Sequence, residues 1–184
     1  MLKKILLLAI VLSVLLESVA FAESLKKVEL PFKEDLVYPV DFMGNGDAYY
    51  LSVPSATRRL FRFDVDFKKD GATLKSYNDL SFGILYITKL RGNKEDVVLL
   101  SNQGSGHFIN AFKIFGYDGN DITILFDLFE QPLAPKSPRQ GWISAEGSDL
   151  VLHYGIGGDK GPAPFNYTMI IRPSETGYYI ADIN

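Results

Sequence analysis

The sequence repeats one short pattern three times: a polar turn runs directly into four or five apolar residues. The turns occupy residues 44–47, 92–96 and 146–149, and an acidic residue closes each of them. Those acidic residues are Asp47, Asp96 and Asp149, so the repeats are about 50 residues apart. Self-similarity at this period is typical of β-units that are each too small to bury their own apolar face. The pattern constrains the architecture and leaves the function open.

Alternation of apolar and polar residues dominates the chain after its first 22 residues. The clearest case, residues 60–67, predicts an apolar face of Phe61, Phe63, Val65 and Phe67, with Arg62, Asp64 and Asp66 facing water. Such a period of two is typical of a half-buried antiparallel strand. Further strands are predicted at residues 84–90, 96–101, 107–115, 122–128, 149–154, 165–171 and 178–181.

Turn residues between these strands predict hairpins, and residues 131–141 and 155–164 are predicted to be long loops. The predicted fold class is therefore all-β, an antiparallel meander of about three four-stranded units that resemble propeller blades. A β-sandwich or a flattened barrel is the alternative, because closed propellers need at least four blades.

Residues 1–22 have the pattern of a signal peptide. Lys3 and Lys4 precede a nearly continuous apolar run at residues 5–16, and Ala20 and Ala22 supply the small residues that precede a cleavage site. Twelve apolar residues are too few to span a bilayer, so a cleaved signal peptide is favoured over a retained membrane anchor. We expect residues 23–184 to form a single exported all-β domain, periplasmic or secreted, of a bacterial protein.

Composition narrows the classes of partner and the source of stability. The chain has no cysteine, so an exported domain of this kind has to be stabilised by its packed core. Its formal net charge is −3, and the sequence contains no cluster of basic residues. This balance argues against nucleic acid or an anionic membrane as the partner.

The first turn lies in the segment Asp41-Phe42-Met43-Gly44-Asn45-Gly46-Asp47, which resembles the loop of FG-GAP (VCBS-type) repeats. That resemblance implies propeller-type units and a calcium site formed by Asp41, Asn45 and Asp47. Met43 occupies the third position, where the family has an oxygen ligand, and calcium takes six to eight oxygens. We therefore expect no required cofactor, with calcium at this loop as the alternative.

The segment from Ser101 to Phe112 resembles the Gly-Ser-Gly-x-Tyr region of periplasmic inhibitors of invertebrate-type lysozymes. In that family a loop enters the lysozyme cleft, which implies the same role here for Ser105, Gly106 and Phe108. Phe108 stands where the family has tyrosine. The predicted partner-binding residues are Asn102, Ser105, Gly106, His107 and Phe108, and the partner they imply is a protein such as a hydrolase.

The remaining residues give no recognisable catalytic motif. His107 and His153 are the only histidines, and no Gly-x-Ser-x-Gly elbow accompanies a serine such as Ser101. Trp142, the only tryptophan, is expected in the core in preference to a partner-contacting position. The leading hypothesis is an exported, non-enzymatic binding protein. The alternatives are an inhibitor of a lysozyme-like hydrolase acting through the Ser105 loop, and an exported hydrolase.

Overall fold

A computed structural model describes residues 25–31, 33–59, 61–103, 107–156 and 166–184. These residues form thirteen β-strands, two single-turn 3-10 helices (Ser55–Thr57 and Leu128–Glu130) and no α-helix, which confirms the all-β prediction. The strands are β1 (Leu25–Val28), β2 (Leu36–Val40), β3 (Tyr49–Val53), β4 (Arg62–Lys69), β5 (Ala72–Ser81), β6 (Ile84–Arg91), β7 (Lys94–Gln103), β8 (Phe108–Tyr117), β9 (Ile122–Asp127), β10 (Pro138–Glu146), β11 (Asp149–Ile156), β12 (Tyr167–Pro173) and β13 (Tyr178–Ile183).

The strands form two antiparallel sheets that are consistent with a β-sandwich or meander and are not closed into a barrel. The small sheet has the order β2-β3-β4-β5. The large sheet has nine strands in the order β1-β6-β7-β8-β10-β11-β12-β13, and β9 pairs with the C-terminal half of β8. The first repeated turn leads into β3 of the small sheet, whereas the other two lead into β7 and β11 of the large one.

Strand β7 is buried on both faces, which explains its unbroken apolar run. Val97 and Leu99 belong to a core shared with the small sheet, and Val98 and Leu100 belong to a second core enclosed by the large sheet alone. A strand covered on one side needs alternation, but a strand covered on both sides needs apolar residues throughout. The small sheet therefore covers only one part of one face of the large sheet.

Strand β4 confirms most of its predicted pattern and corrects one residue. Phe63, Val65 and Phe67 are fully buried, while Arg62 is exposed and Asp64 is half-buried. The prediction that Phe61 faces inward is wrong, because 53% of it is exposed. Phe61 precedes the first residue of β4, so the strand's alternation does not fix its direction. Leu60 lies outside the described residues.

The three acidic residues of the repeat share a structural role. Each pairs with a basic side chain on a neighbouring strand, and the pairs are Asp47–Lys69 at 3.2 Å, Asp96–Arg91 at 2.7 Å and Asp149–Arg172 at 2.8 Å. The second and third turns are two-residue hairpins whose first residue is a glycine with positive φ, as this tight turn requires. Asp96–Arg91 closes the hairpin of its own turn, whereas the other two pairs join the strand that follows the turn to the next strand of the sheet, which is β4 for Asp47 and β12 for Asp149.

Among these pairs, only Asp96–Arg91 is buried. Arg91 donates to both carboxylate oxygens of Asp96, from Nε at 2.8 Å and Nη2 at 2.7 Å. Arg91 also donates to the carbonyl oxygens of Tyr117 and Glu175. Glycine is needed at position 116, because an added Cβ would lie 2.0 Å from an oxygen of Asp96. A buried charge pair is tolerated when its remaining polar atoms are bonded in this way.

Residues 1–24, which include the predicted signal peptide, lie outside the described residues. Within the described ranges, no helix has the length and apolar character needed to cross a membrane.

Candidate functional site

The predicted partner loop begins at Asn102, near the end of β7. The Asn102 side chain is bound to the backbone of Gly141 in β10: Nδ2 donates to the carbonyl oxygen at 2.7 Å, and Oδ1 accepts from the amide at 2.9 Å. Asn102 is half-buried. This residue therefore anchors the loop to β10, with its amide group already engaged in two hydrogen bonds.

The other end of the loop is fixed to the same strand. His107 is exposed, has a φ of 49°, and accepts a hydrogen bond of 2.8 Å at its carbonyl oxygen from the amide of Gln140. Phe108 is half-buried, and the guanidinium carbon of Arg139 lies 4.1 Å from its ring centroid. Ser105 and Gly106, the central residues of the prediction, lie outside the described residues.

A β-bulge in β10 determines which side chains face outward beside this loop. Arg139 pairs with Gly155 and Trp142 pairs with His153, so β10 has one residue more than β11 between the two pairs. The extra residue changes the parity of the strand, and Arg139 and Trp142 consequently lie on the same face. This segment was predicted as loop up to residue 141, whereas β10 begins at Pro138, a position that proline tolerates because it is the first of the strand.

Trp142 is exposed and stacked on His153, so the expectation that it lies in the core is wrong. Its exposed fraction is 47%, and its ring lies 3.7 Å from the imidazole centroid with an interplanar angle of 5°. Leu152 and Tyr154, the neighbours of His153 in β11, point into the second core. The opposite face of β10–β12 carries Trp142, Ser144, Glu146, His153 and Thr168, and we name this set the Trp142 face.

A chain of hydrogen bonds joins three polar residues of the Trp142 face. The hydroxyl of Ser144 donates to Glu146 Oε1 at 2.9 Å and lies 2.9 Å from His153 Nε2. A hydroxyl has one proton, so His153 donates its Nε2 proton to Ser144 when Ser144 donates to Glu146. Glu146 is also on the Nε2 side, at 3.6 Å. A hydrogen bond donated by His153 to Ser144 orients the imidazole. It does not activate Ser144, since a catalytic base has to accept the proton of the serine.

Backbone strain is concentrated at the same end of the sheet. Among the described residues, five other than glycine have positive φ, and three of them, His107, Ser137 and Gln140, flank the Asn102–Gly141 contact and the bulge. This conformation is uncommon for residues other than glycine and costs of the order of 1 kcal/mol or more. Strain of this kind is found preferentially at functional sites.

The calcium prediction concerns a different loop, at the start of β3. The carboxylate of Asp41 accepts hydrogen bonds from the amides of Gly44, Asn45 and Gly46, at 2.8, 3.2 and 2.9 Å. Asn45 Oδ1 accepts from the amide of Asp47 at 2.9 Å. The three predicted ligands are thus close together, but backbone amides occupy most of the acceptor directions of Asp41. Among the described residues, no group of three or more histidine, cysteine or acidic side chains is arranged to hold a metal ion.

Comparison of the chain with protein-family models, with curated proteins and with solved structures yields no match.

The sequence pattern predicts the loop but not the Trp142 face beside it. A signal was present, since Trp142, Ser144 and Glu146 alternate with Ile143 and Ala145. The polar residues at two of those positions indicate that the tryptophan lies on the wet side of the strand. The cross-strand stacking on His153 depends on the register of β10 and β11, which the bulge sets.

Proposed function

We propose that this protein is an exported, non-enzymatic binding protein whose partner-contacting surface consists of the Trp142 face and the adjoining loop of residues 102–108. The observation that carries the proposal is the exposure of Trp142 on a rigid sheet. Tryptophan is highly buried on average, and it is enriched among the residues that contribute most to binding.

The support for this surface comes from its preorganisation. Trp142 is held by stacking on His153, and both ends of the loop are fixed to β10 through Asn102 and His107. Side chains and loops that are already ordered lose less entropy when a partner binds. The surface therefore has an anchor residue, a polar rim and a loop whose two ends are bound to β10.

Capture of a partner tests the proposal. The mature protein, the Trp142→Ala variant and the Phe129→Ala variant would each be immobilised and exposed to the exported proteins of the source cell. Phe129 is the matched control, because it is also 47% exposed but belongs to the 3-10 helix after β9. We expect a partner that binds the wild type and Phe129→Ala but not Trp142→Ala. Equal capture by all three proteins contradicts the proposal.

Inhibition of a lysozyme-like hydrolase is the second candidate, and the fixed ends of the loop favour it. An inhibitor loop has to keep its shape when it enters a cleft, which the Asn102 and His107 contacts promote. The double variant Ser105→Ala/His107→Ala is expected to retain the wild-type melting temperature while losing inhibition of an invertebrate-type lysozyme. A wild-type protein that does not inhibit the enzyme would eliminate this candidate and leave the binding proposal standing.

Export is a separate part of the proposal, with its own test. The pattern of Ala20 and Ala22 supports cleavage that leaves Glu23 as the first residue. Mass spectrometry of protein recovered outside the cytoplasm would give the N-terminus directly. Protein that retains residues 1–22 and sediments with membranes contradicts this part.

A further inference from the structure

We propose that the partner is a cationic protein that places an arginine guanidinium against the exposed ring of Trp142, next to the carboxylate of Glu146. This inference rests on the proposed binding function and specifies the chemistry of its partner.

The indole ring of Trp142 has an exposed surface that a cation can reach. His153 covers one side of the indole at 3.7 Å, and nearly half of the Trp142 surface remains exposed. Tryptophan has the most favourable ring for cation–π contact, and a guanidinium can stack on it flat. Because the ring is already fixed by His153, the contact needs no further ordering of the indole.

A carboxylate, that of Glu146, belongs to the same surface as the indole. Glu146 lies on the same face of β10 as Trp142, and its side chain is 61% exposed. Its Oε1 atom is 2.9 Å from Ser144 Oγ and 3.6 Å from His153 Nε2, and that imidazole stacks on the indole. The imidazole of His153 therefore contacts both the indole and the carboxylate, and a carboxylate can accept two guanidinium N–H groups.

The Trp142 face carries more acidic than basic charge. The cross-strand register also places Asp149, Arg172 and Asp182 on it, and Arg172 is neutralised by its bidentate ion pair with Asp149. Arg139 of β10 is buried with its guanidinium against Phe108, and Lys113 of β8 is paired with Asp127. Among the described residues that this register places on the face, Glu146 and Asp182 remain, so this part of the face is acidic when His153 is neutral, in a chain of net charge −3. An acidic surface favours a basic partner.

The chain itself contains the proposed contact next to the Trp142 face. The guanidinium carbon of Arg139 lies 4.1 Å from the ring centroid of Phe108, in the neighbouring strand pair. An arginine from a partner would repeat this arrangement on Trp142, with a better ring and an adjacent carboxylate.

Fluorescence provides the test, because Trp142 is the only tryptophan in the chain. The mature protein would be titrated with hexa-arginine and with hexa-citrulline, which has the same shape without the charge. We expect saturable quenching by hexa-arginine, none by hexa-citrulline, and weaker binding when sodium chloride is raised from 10 to 150 mM. Equal responses to the two peptides, or no response to either, overturn the inference.

The contribution of the carboxylate is tested with a matched pair of variants. Glu146→Gln should weaken hexa-arginine binding by a factor of about two to five, the range of an exposed ion pair. Glu29→Gln removes the same charge from an exposed residue beyond β1 and should leave binding unchanged. Circular dichroism would verify that both variants are folded. Equal affinities of the two variants also overturn the inference.

The two proposals fail in different ways. If capture of a partner needs Trp142 but hexa-arginine does not quench its fluorescence, the binding function is supported and a cationic partner is refuted. Quenching by a neutral oligosaccharide such as chitotetraose, without quenching by hexa-arginine, assigns the ring to a sugar and refutes the cationic partner as well. If Trp142→Ala captures the partner as well as wild type does, the binding surface itself is wrong.

Discussion

The hydroxyl of Tyr178 donates a 2.6 Å hydrogen bond to the buried carboxylate of Asp96, although the two residues are 82 positions apart. Asp96 lies in β7 and Tyr178 lies in β13, the last strand of the large sheet. Strands β10 and β11, which carry Trp142 and His153, lie between them in the sheet order. The buried anion thus holds together the sheet on which the Trp142 face is built.

Removal of the Tyr178–Asp96 hydrogen bond should destabilise the protein. Tyr178→Phe should lower the free energy of unfolding by about 1.5–3 kcal/mol, the usual contribution of a hydrogen bond to a charged group. Tyr179→Phe, on the exposed side of the same strand, serves as the control and should change stability by less than about 1 kcal/mol. Urea unfolding followed by circular dichroism would measure both. Equal effects of the two variants contradict the proposed role of Asp96.

The second prediction concerns alkaline pH. Burial raises the pKa of the Tyr178 hydroxyl, and the charge of Asp96 raises it further. The stability contributed by the neutral phenol is therefore complete below the ordinary tyrosine pKa of about 10 and is lost as the pH rises above it. Between pH 9 and pH 11, the wild type should lose more unfolding free energy than Tyr178→Phe. The same loss in both proteins would show that Tyr178 does not contribute.

The third prediction compares two phenylalanines at the start of β4. Phe63→Ala should cost about 3–5 kcal/mol, because this side chain is fully buried. Phe61→Ala should cost less than about 1 kcal/mol, because Phe61 is exposed outside the strand. Thermal or urea unfolding of the two variants gives the comparison. A larger cost at Phe61 would favour the inward direction that simple alternation predicts.

The fourth prediction concerns calcium. The melting temperature should be the same in millimolar calcium and in excess chelator, because backbone amides already satisfy Asp41. Asp41→Ala should lower the unfolding free energy by about 1–3 kcal/mol in both conditions, through the loss of these bonds. Calorimetric or fluorescence melts in the two buffers would measure the melting temperatures of the wild type and of Asp41→Ala. A rise of many degrees with calcium, absent in Asp41→Ala, would instead establish a calcium site.

The sequence pattern predicted the strands that have clear apolar character. Residues 96–101 and 149–154 were found because their apolar runs follow turns with glycine, and these turns fix their hairpins. Strand β5 (Ala72–Ser81) was missed, since it lies at the edge of the small sheet and is largely exposed. An edge strand with little burial has no apolar period to detect.

The candidate site was predicted in part for a similar physical reason. Glycine and small polar residues marked the loop of residues 102–108, and local composition is sufficient to recognise such a loop. The stacking of Trp142 on His153 arises from cross-strand pairing and from the bulge at Gln140. Pairing between strands is a property of the whole sheet, so it cannot be deduced from either strand alone.

The central claim is that Trp142 is the anchor of a partner-binding surface. Isothermal titration of the purified captured partner against the wild type, Trp142→Ala and Phe129→Ala tests it most directly. We predict that Trp142→Ala weakens binding by a factor of about 30 or more, corresponding to the roughly 2 kcal/mol of a dominant interface residue, and that Phe129→Ala stays within about twofold of wild type. Dissociation constants that agree for Trp142→Ala and the wild type would contradict the account.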